Sequence, residues 1–210
     1  MTDLRLILAA ETEKLPESLS TSGFVPMPTE DTLAALEGAG LWFGPRAPLE
    51  ENESFRQIIP YLLIRVDGKL VGYTRAPSGG ESRLHGMVSV GLGGHVDIPD
   101  ARTRSDERFD LLATLNFASL RELQEELGAV GQITKTEWVG MLADNDTPVG
   151  RVHLGVIGLW DVETIPDEQA EDAVADIRLF TYEELEALDG EDRLEPWTRI
   201  LLPWIRQQIL

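Results

Sequence analysis

The sequence predicts a mixed α/β fold: one mixed sheet with helices on both faces, preceded by an N-terminal extension and followed by a C-terminal helix. Three observations carry this expectation. β-Rich runs lie on both sides of one long stretch with helical leucine spacing. Two of those runs flank Asp67-Gly68, a dipeptide that favours the tight turn of a hairpin. The order is strands, one central helix, strands, terminal helix, without strict strand–helix alternation, which suits a helix-covered sheet better than a doubly wound dinucleotide fold.

Taken in order, residues 1–55 read as an extension packed on the core, and residues 56–210 as the main domain with its C-terminal helix. The extension holds a strand at 4–9, a Pro/Ser/Thr-rich stretch at 16–29 and a short helix near 30–38 capped by Gly38. "QIIPYLLIRVDGKLVGYTR" (57–75) is the hairpin, and "HGMVSVGLGGHVD" (85–97) is a strand running into a glycine-rich bend. From about 107 to 127 the spacing is helical, with Leu112, Leu115, Leu120, Leu123 and Leu127 on or near one stripe. "TEWVGMLAD" and "RVHLGVIGLWDV" are strands around the turn "NDTPVG", where Asp144 and Asp146 read as turn chemistry. "IRLFTYEELEAL" is a strand entering a short helix. The tail "EPWTRILLPWIRQQIL" is an amphipathic helix kinked or broken at Pro203. Trp197, Ile200, Leu201, Trp204 and Ile205 line one of its faces, the tryptophans as core or dimer contacts.

Composition narrows the function. The 210 residues include 18 basic and 37 acidic side chains, a net charge of −19, and no basic run appears. Polymeric nucleic acid is therefore not expected as a partner, because phosphate contacts need clustered Lys and Arg. A small phosphorylated ligand stays compatible, since a bound divalent cation reverses the local field. There is no cysteine, which removes disulfides, thiolate metal sites and cysteine nucleophiles. With no signal peptide and no apolar run long enough to span a bilayer, the expectation is a cytoplasmic protein. A homodimer is compatible with the chain, and no motif specifies one.

"SLRELQEELGAV" (119–130) departs from local rules. Glu122, Glu125 and Glu126 crowd the end of a helix that already carries partial negative charge, and Glu122 and Glu126 are like charges four residues apart. Helical spacing places the three carboxylates on one face, with Leu120, Leu123 and Leu127 on the other and Gly128 as a left-handed cap. A hard divalent cation resolves the repulsion, because Mg²⁺ takes oxygen ligands of this kind. Glycine at 93 and 94 would let a backbone carbonyl approach the same ion. Read alone, "RELQEEL" suits an exposed amphipathic helix equally well; the glycine-rich bend upstream shifts the balance.

Arg121-Glu122-Leu123-Gln124-Glu125-Glu126-Leu127-Gly128 resembles the core of the Nudix box, REUxEExG, and the preceding "GLGGHVD" resembles the strand and glycine turn that open it. The box covers roughly 93–130, and the resemblance extends over about 56–190. Residues 52–75 with "SVGLGGHVD" further resemble a bacterial branch of predicted phosphoesterases. The first half of the box departs from the family pattern G-x5-E-x7-R. Asp100 stands six positions after Gly94 where the family has Glu, and 20 residues rather than seven precede Arg121, an insertion of about 13. Asp100, Asp106 and Glu107 are candidates to take over the support that the family's first Glu gives the box arginine, and Thr103 or Ser105 is expected near the helix N-cap.

The resemblance implies an α/β/α sandwich and a Mg²⁺- or Mn²⁺-dependent pyrophosphohydrolase acting on a small nucleoside diphosphate derivative or related phosphorylated metabolite. It implies Glu122, Glu125, Glu126 and the Gly93 carbonyl as metal ligands, with Glu125, Glu122 and Arg121 as the catalytic set. Arg75 and His95 are candidates for substrate binding, with Arg83 facing the same region; His85 and His153 read as packing residues. Glu168, Glu171 and Asp172, in the acidic stretch 162–176, are candidates for the general base. The alternative is a catalytically inert module that keeps the fold to bind a metabolite or a protein.

Overall fold

A computed structural model describes residues 5–75, 86–128, 130–165 and 174–208. The class is the predicted one, a mixed α/β fold. Its elements are β1 (Leu6–Glu11), β2 (Gly23–Pro26), α1 (Thr29–Gly38), β3 (Trp42–Pro45), α2 (Arg46–Leu49), β4 (Phe55–Val66), β5 (Lys69–Arg75), β6 (Val88–Ser89), β7 (Gly91–Gly93), α3 (Leu111–Glu126), β8 (Ile133–Ala143), α4 (Pro148–Arg151), β9 (His153–Val162), β10 (Val174–Phe180), α5 (Tyr182–Gly190) and α6 (Pro196–Gln208). The strands join in the order β10-β5-β4-β9-β8-β2, with β1 on β3 and β4, β6 on β5, and β7 on β4.

The chain forms two compact units. The first comprises Met1–Tyr61, Gly93–Arg121 and Trp138–Gly158. Here β1 pairs antiparallel with β3 (Leu6↔Pro45 to Ala9↔Trp42) and, at its other end, with β4 (Ala9↔Gln57 to Glu11↔Phe55). Ile7, Ala9 and Leu49 bury together with Phe55 against them, so the extension contributes core. β2 pairs with β8, although the Pro/Ser/Thr-rich stretch carried no strand signal. Thr29 ties α1 to β8: its hydroxyl donates to the Trp138 carbonyl at 2.9 Å and accepts from the Trp138 amide at 3.1 Å. Gly38 is the last residue of α1 rather than its cap, and the left-handed position falls on Gly40 (φ +67°). A side chain there would collide with Glu11, whose Oε1 would lie 2.5 Å from the added Cβ.

The second unit comprises Leu62–Leu92, Glu122–Glu137 and Leu159–Leu210. The hairpin is as expected. Asp67 and Gly68 both take positive φ (48° and 77°), the signature of the turn that matches strand twist, and Arg65↔Leu70 and Val66↔Lys69 pair beside it. β10 adds to β5, where Phe180 packs on Gly72 so closely that any Cβ would clash at 2.6 Å. Thr181 and Glu184 form a capping box that starts α5. α6 runs through Pro203 without a break. It buries Thr198, Leu201, Leu202 and Ile205, while Trp197, Ile200 and Trp204 are half-buried. The inward face is thus turned slightly from the predicted one, because Thr198 reaches inward to accept a hydrogen bond from the Val90 amide at 3.1 Å.

Candidate active site

α3 begins at Leu111, later than expected. Its N-cap is Asp110, whose side chain accepts from the Ala113 amide at 3.1 Å, not Thr103 or Ser105. Those two belong to an excursion that turns back on itself: Thr103 bridges to Phe109, Asp110 N donates to the Arg102 carbonyl, and Glu107 takes φ +64° at the tip. The inserted residues therefore form a closed side loop more than an extended helix.

Glu122, Glu125 and Glu126 lie on the last turns of α3, Glu125 exposed and the other two half-buried. By helical geometry the three span an arc of about 100°. Leu123 and Leu127 are buried, and Gly128 takes φ +83° with its amide donating to the Gln124 carbonyl, as a left-handed cap requires. Leu120 is not an anchor: it is 44% exposed, and Leu112 is 38% exposed. The buried stripe follows Leu111, Leu115 and Ala118 and then swings round to Leu123 and Leu127, which a single fixed stripe of leucines does not capture.

Arg121, immediately before the first glutamate, is held by a buried partner. Its Nε donates to Asp100 Oδ1 at 3.0 Å and its Nη2 to Oδ2 at 2.9 Å, a two-pronged charge-assisted pair. Nη2 also donates to the His95 carbonyl at 3.0 Å. Asp100 is 1% exposed, and its Oδ2 also accepts from the Asp97 amide. Among the candidates for this support, Asp100 fills the role. Asp106 pairs with Arg108, and Glu107 sits exposed at the loop tip. The shorter aspartate reaches because the 3-10 turn Ile98–Asp100, capped by Asp97, carries it forward, and Arg5 braces that cap through Asp97.

Gly93 ends β7 against β4. A Cβ there would lie 2.9 Å from Tyr61 Cδ2 and 3.1 Å from the Pro60 carbonyl oxygen, so close approach between backbones demands glycine.

His95 enters a polar group of its own. Its Nε2 meets the Gln57 side-chain oxygen at 2.8 Å, its ring centroid lies 5.5 Å from that of His153, and Glu50 completes the set. His153 is buried, and its Nδ1 meets the Val149 carbonyl at 2.7 Å; reading it as a packing residue missed this company. Burial pushes the His95 imidazole down to about 3, with the nearby Arg46 and His153 acting in the same direction. Burial works against ionisation of Glu50, yet hydrogen bonding from Arg46, the nearby His153 and a hydrogen bond from the Gln57 side chain hold its carboxyl below the usual range. Glu50 and Gln57 carried no signal in sequence. One lies in the extension and the other in a strand that reads as apolar, and only folding brings them to His95.

The side chain of Arg75, which closes β5 opposite Val174, lies outside the described residues, as do Arg83, His85, Glu168, Glu171 and Asp172. Asp144 and Asp146 do form the expected turn: Asp144 accepts from the Asp146 amide and the Thr147 hydroxyl, and Thr147 caps the short α4. Among the described residues, no helix is long and apolar enough to cross a membrane.

No family model matches the chain. It is 31% identical over 163 residues to protein YmaB of Bacillus subtilis, covering 75% of this chain and 74% of that protein. The crystal structure of Tm1382, a proposed Nudix hydrolase, superposes with a TM-score of 0.74 at 27% identity, over 95% of this chain and 97% of that one. A Nudix hydrolase from Alicyclobacillus acidocaldarius shares the fold alone, with a TM-score of 0.52 at 12% identity over 71% of this chain and 90% of its own. Together with a box arginine pinned by a buried carboxylate and followed by three glutamates on one helix face, these likenesses show that the chain belongs to the Nudix hydrolase family.

Proposed function

We propose that the protein hydrolyses a diphosphate bond in a small nucleoside diphosphate derivative or related phosphorylated metabolite, by divalent-metal-dependent water attack on phosphorus. The observation that carries this reading is the Asp100–Arg121 pair. The box is stretched by its insertion, yet the arginine that begins its second half is still held, so the three glutamates leave the helix from a fixed starting point.

The donor set fits a hard cation. Glu122, Glu125 and Glu126 offer only oxygen and lie within one helical arc, and Mg²⁺ or Mn²⁺ prefers such ligands. These residues, with the Gly93 carbonyl, would hold the ion. When bound, it would acidify a coordinated water and neutralise phosphoryl charge. The chain itself has a net charge of −19 and would repel a diphosphate without that cation. Arg121 acts on position: its fork fixes the helix face and supports the His95 backbone. Arg75 is assigned to substrate contact, and Glu168, Glu171 and Asp172 are the candidates for the general base; the His95 side chain, turned to Gln57 and His153, is not assigned to the substrate.

The test is a screen for phosphate or mononucleotide release from nucleotide sugars, dinucleoside polyphosphates, coenzymes and nucleoside triphosphates, with Mg²⁺ and with Mn²⁺. Turnover of at least one class is expected, and Glu125→Gln should lower it by roughly a hundredfold or more with an unchanged circular dichroism spectrum. Absence of turnover across the panel, or equal rates in the variant, would overturn the assignment.

A further inference from the structure

We propose that Glu50, His95 and His153 form a binding site for a transition-metal ion of the zinc class, with one coordination position left for water or a small anion. The potential ligand atoms of the three residues lie within 4.8 Å of one another. Two imidazoles and one carboxylate are a donor set for Zn²⁺ and its neighbours and a poor one for Mg²⁺, which favours oxygen throughout. The chemistry is therefore unlike that of the three glutamates on α3.

The hydrogen bonds around the histidines prepare them for a metal. The Gln57 side-chain oxygen can only accept, so His95 carries its proton on Nε2 and keeps a lone pair on Nδ1. The Val149 carbonyl likewise can only accept, so His153 carries its proton on Nδ1 and keeps a lone pair on Nε2. Each ring thus spends one nitrogen on an acceptor and leaves the other basic, the arrangement by which ligating histidines are oriented. Glu50 is similarly braced. Arg46 Nε donates to its Oε1 at 3.0 Å, and the Gln57 side chain bonds to the same carboxylate, whose two oxygens keep lone pairs for a cation.

Gln57 is completely buried and links two members of the set: its oxygen meets His95 Nε2, and a hydrogen bond from its side chain helps hold Glu50 as a carboxylate.

Arg46 is the opposing element, since its positive charge lies close by. Its side chain is 35% exposed, and Glu50, at 34%, stands at the end of the four-residue α2. A tetrahedral ion with bonds of about 2.0–2.1 Å needs donor atoms about 3.3 Å apart, so the cluster must contract. Glu50 is the member at the surface and the one that can move.

The experiment is calorimetric titration of metal-stripped protein with Zn²⁺ alone, in saturating Mg²⁺ so that hard-cation sites are filled. One Zn²⁺ per chain is expected in wild type and in Glu125→Gln, with at least tenfold weaker binding in His153→Ala and in Glu50→Gln. Co²⁺ in place of Zn²⁺ should show the intense visible absorption of a low-coordinate nitrogen-and-oxygen site, lost in Glu50→Gln. Glu50 is near the surface, so that variant tests the site even if His153→Ala fails to fold. Absence of Zn²⁺ binding, equal binding in wild type and Glu50→Gln, or loss of binding only in Glu125→Gln would overturn the proposal.

Discussion

Asp100 is one methylene shorter than the glutamate that the family pattern places there, and its surroundings have closed around the shorter side chain. It is 1% exposed and accepts from the Arg121 guanidinium and the Asp97 amide. Asp100→Asn removes the charge from this cluster and is expected to cost about 1–3 kcal/mol in urea unfolding, with a parallel loss of activity. Asp100→Glu, the family's own residue, should also destabilise, by about 1–3 kcal/mol, because the added methylene has no space; stability equal to wild type would show that the pocket is looser than its burial implies. The sequence made Asp100 one of three candidates and could not choose among them. The choice depends on a 3-10 turn capped by Asp97, and a turn of three residues leaves no periodic trace.

At the level of elements, α3 was the most legible part of the site, because glutamate spacing and Gly128 are local signals. Gly128→Ala places a Cβ at φ +83° and should destabilise by about 1 kcal/mol. Asp110→Ala removes the cap and should cost about 0.5–2 kcal/mol. Both are read from denaturant midpoints, and only the first, beside the glutamates, should weaken Mg²⁺ binding. The start of the helix was misplaced because Thr103 and Ser105 are as good caps as Asp110 in isolation; the closed loop decides, and its bridge from Thr103 to Phe109 is a tertiary event. The same holds for β2 and β3, whose proline- and glycine-bearing segments become strands only through β8 and β1.

For the whole molecule, charge is the governing quantity. With a net charge of −19, the folded chain repels itself, and salt screens that repulsion over about 10 Å at 0.1 M. Melting temperature should rise with NaCl. Mg²⁺ at matched ionic strength should raise it further, by an amount set by RT ln(1 + [L]/Kd), or about 2.7 kcal/mol at a hundred times Kd. In Glu125→Gln the extra Mg²⁺ effect should shrink while the NaCl effect persists, and identical responses in both proteins would argue against a site at these carboxylates. Class, hairpin and terminal helices were readable from the sequence because each rests on near neighbours. The grouping of Glu50, Gln57, His95 and His153 was not, because its members come from four separate segments.

The excursion between Arg102 and Asp110 has a consequence for how this gene can be edited. Its two ends are already tied, Asp110 N to the Arg102 carbonyl and Arg102 N to the Thr114 hydroxyl, so length added at its tip does not have to be transmitted to Asp100 or to α3. Doubling such a loop costs only about 0.6 kcal/mol in closure entropy. The tip at Glu107, exposed and already left-handed, is where a peptide tag or a small reporter domain can be spliced into the reading frame, with a glycine on either side, while the box continues to read as one unit.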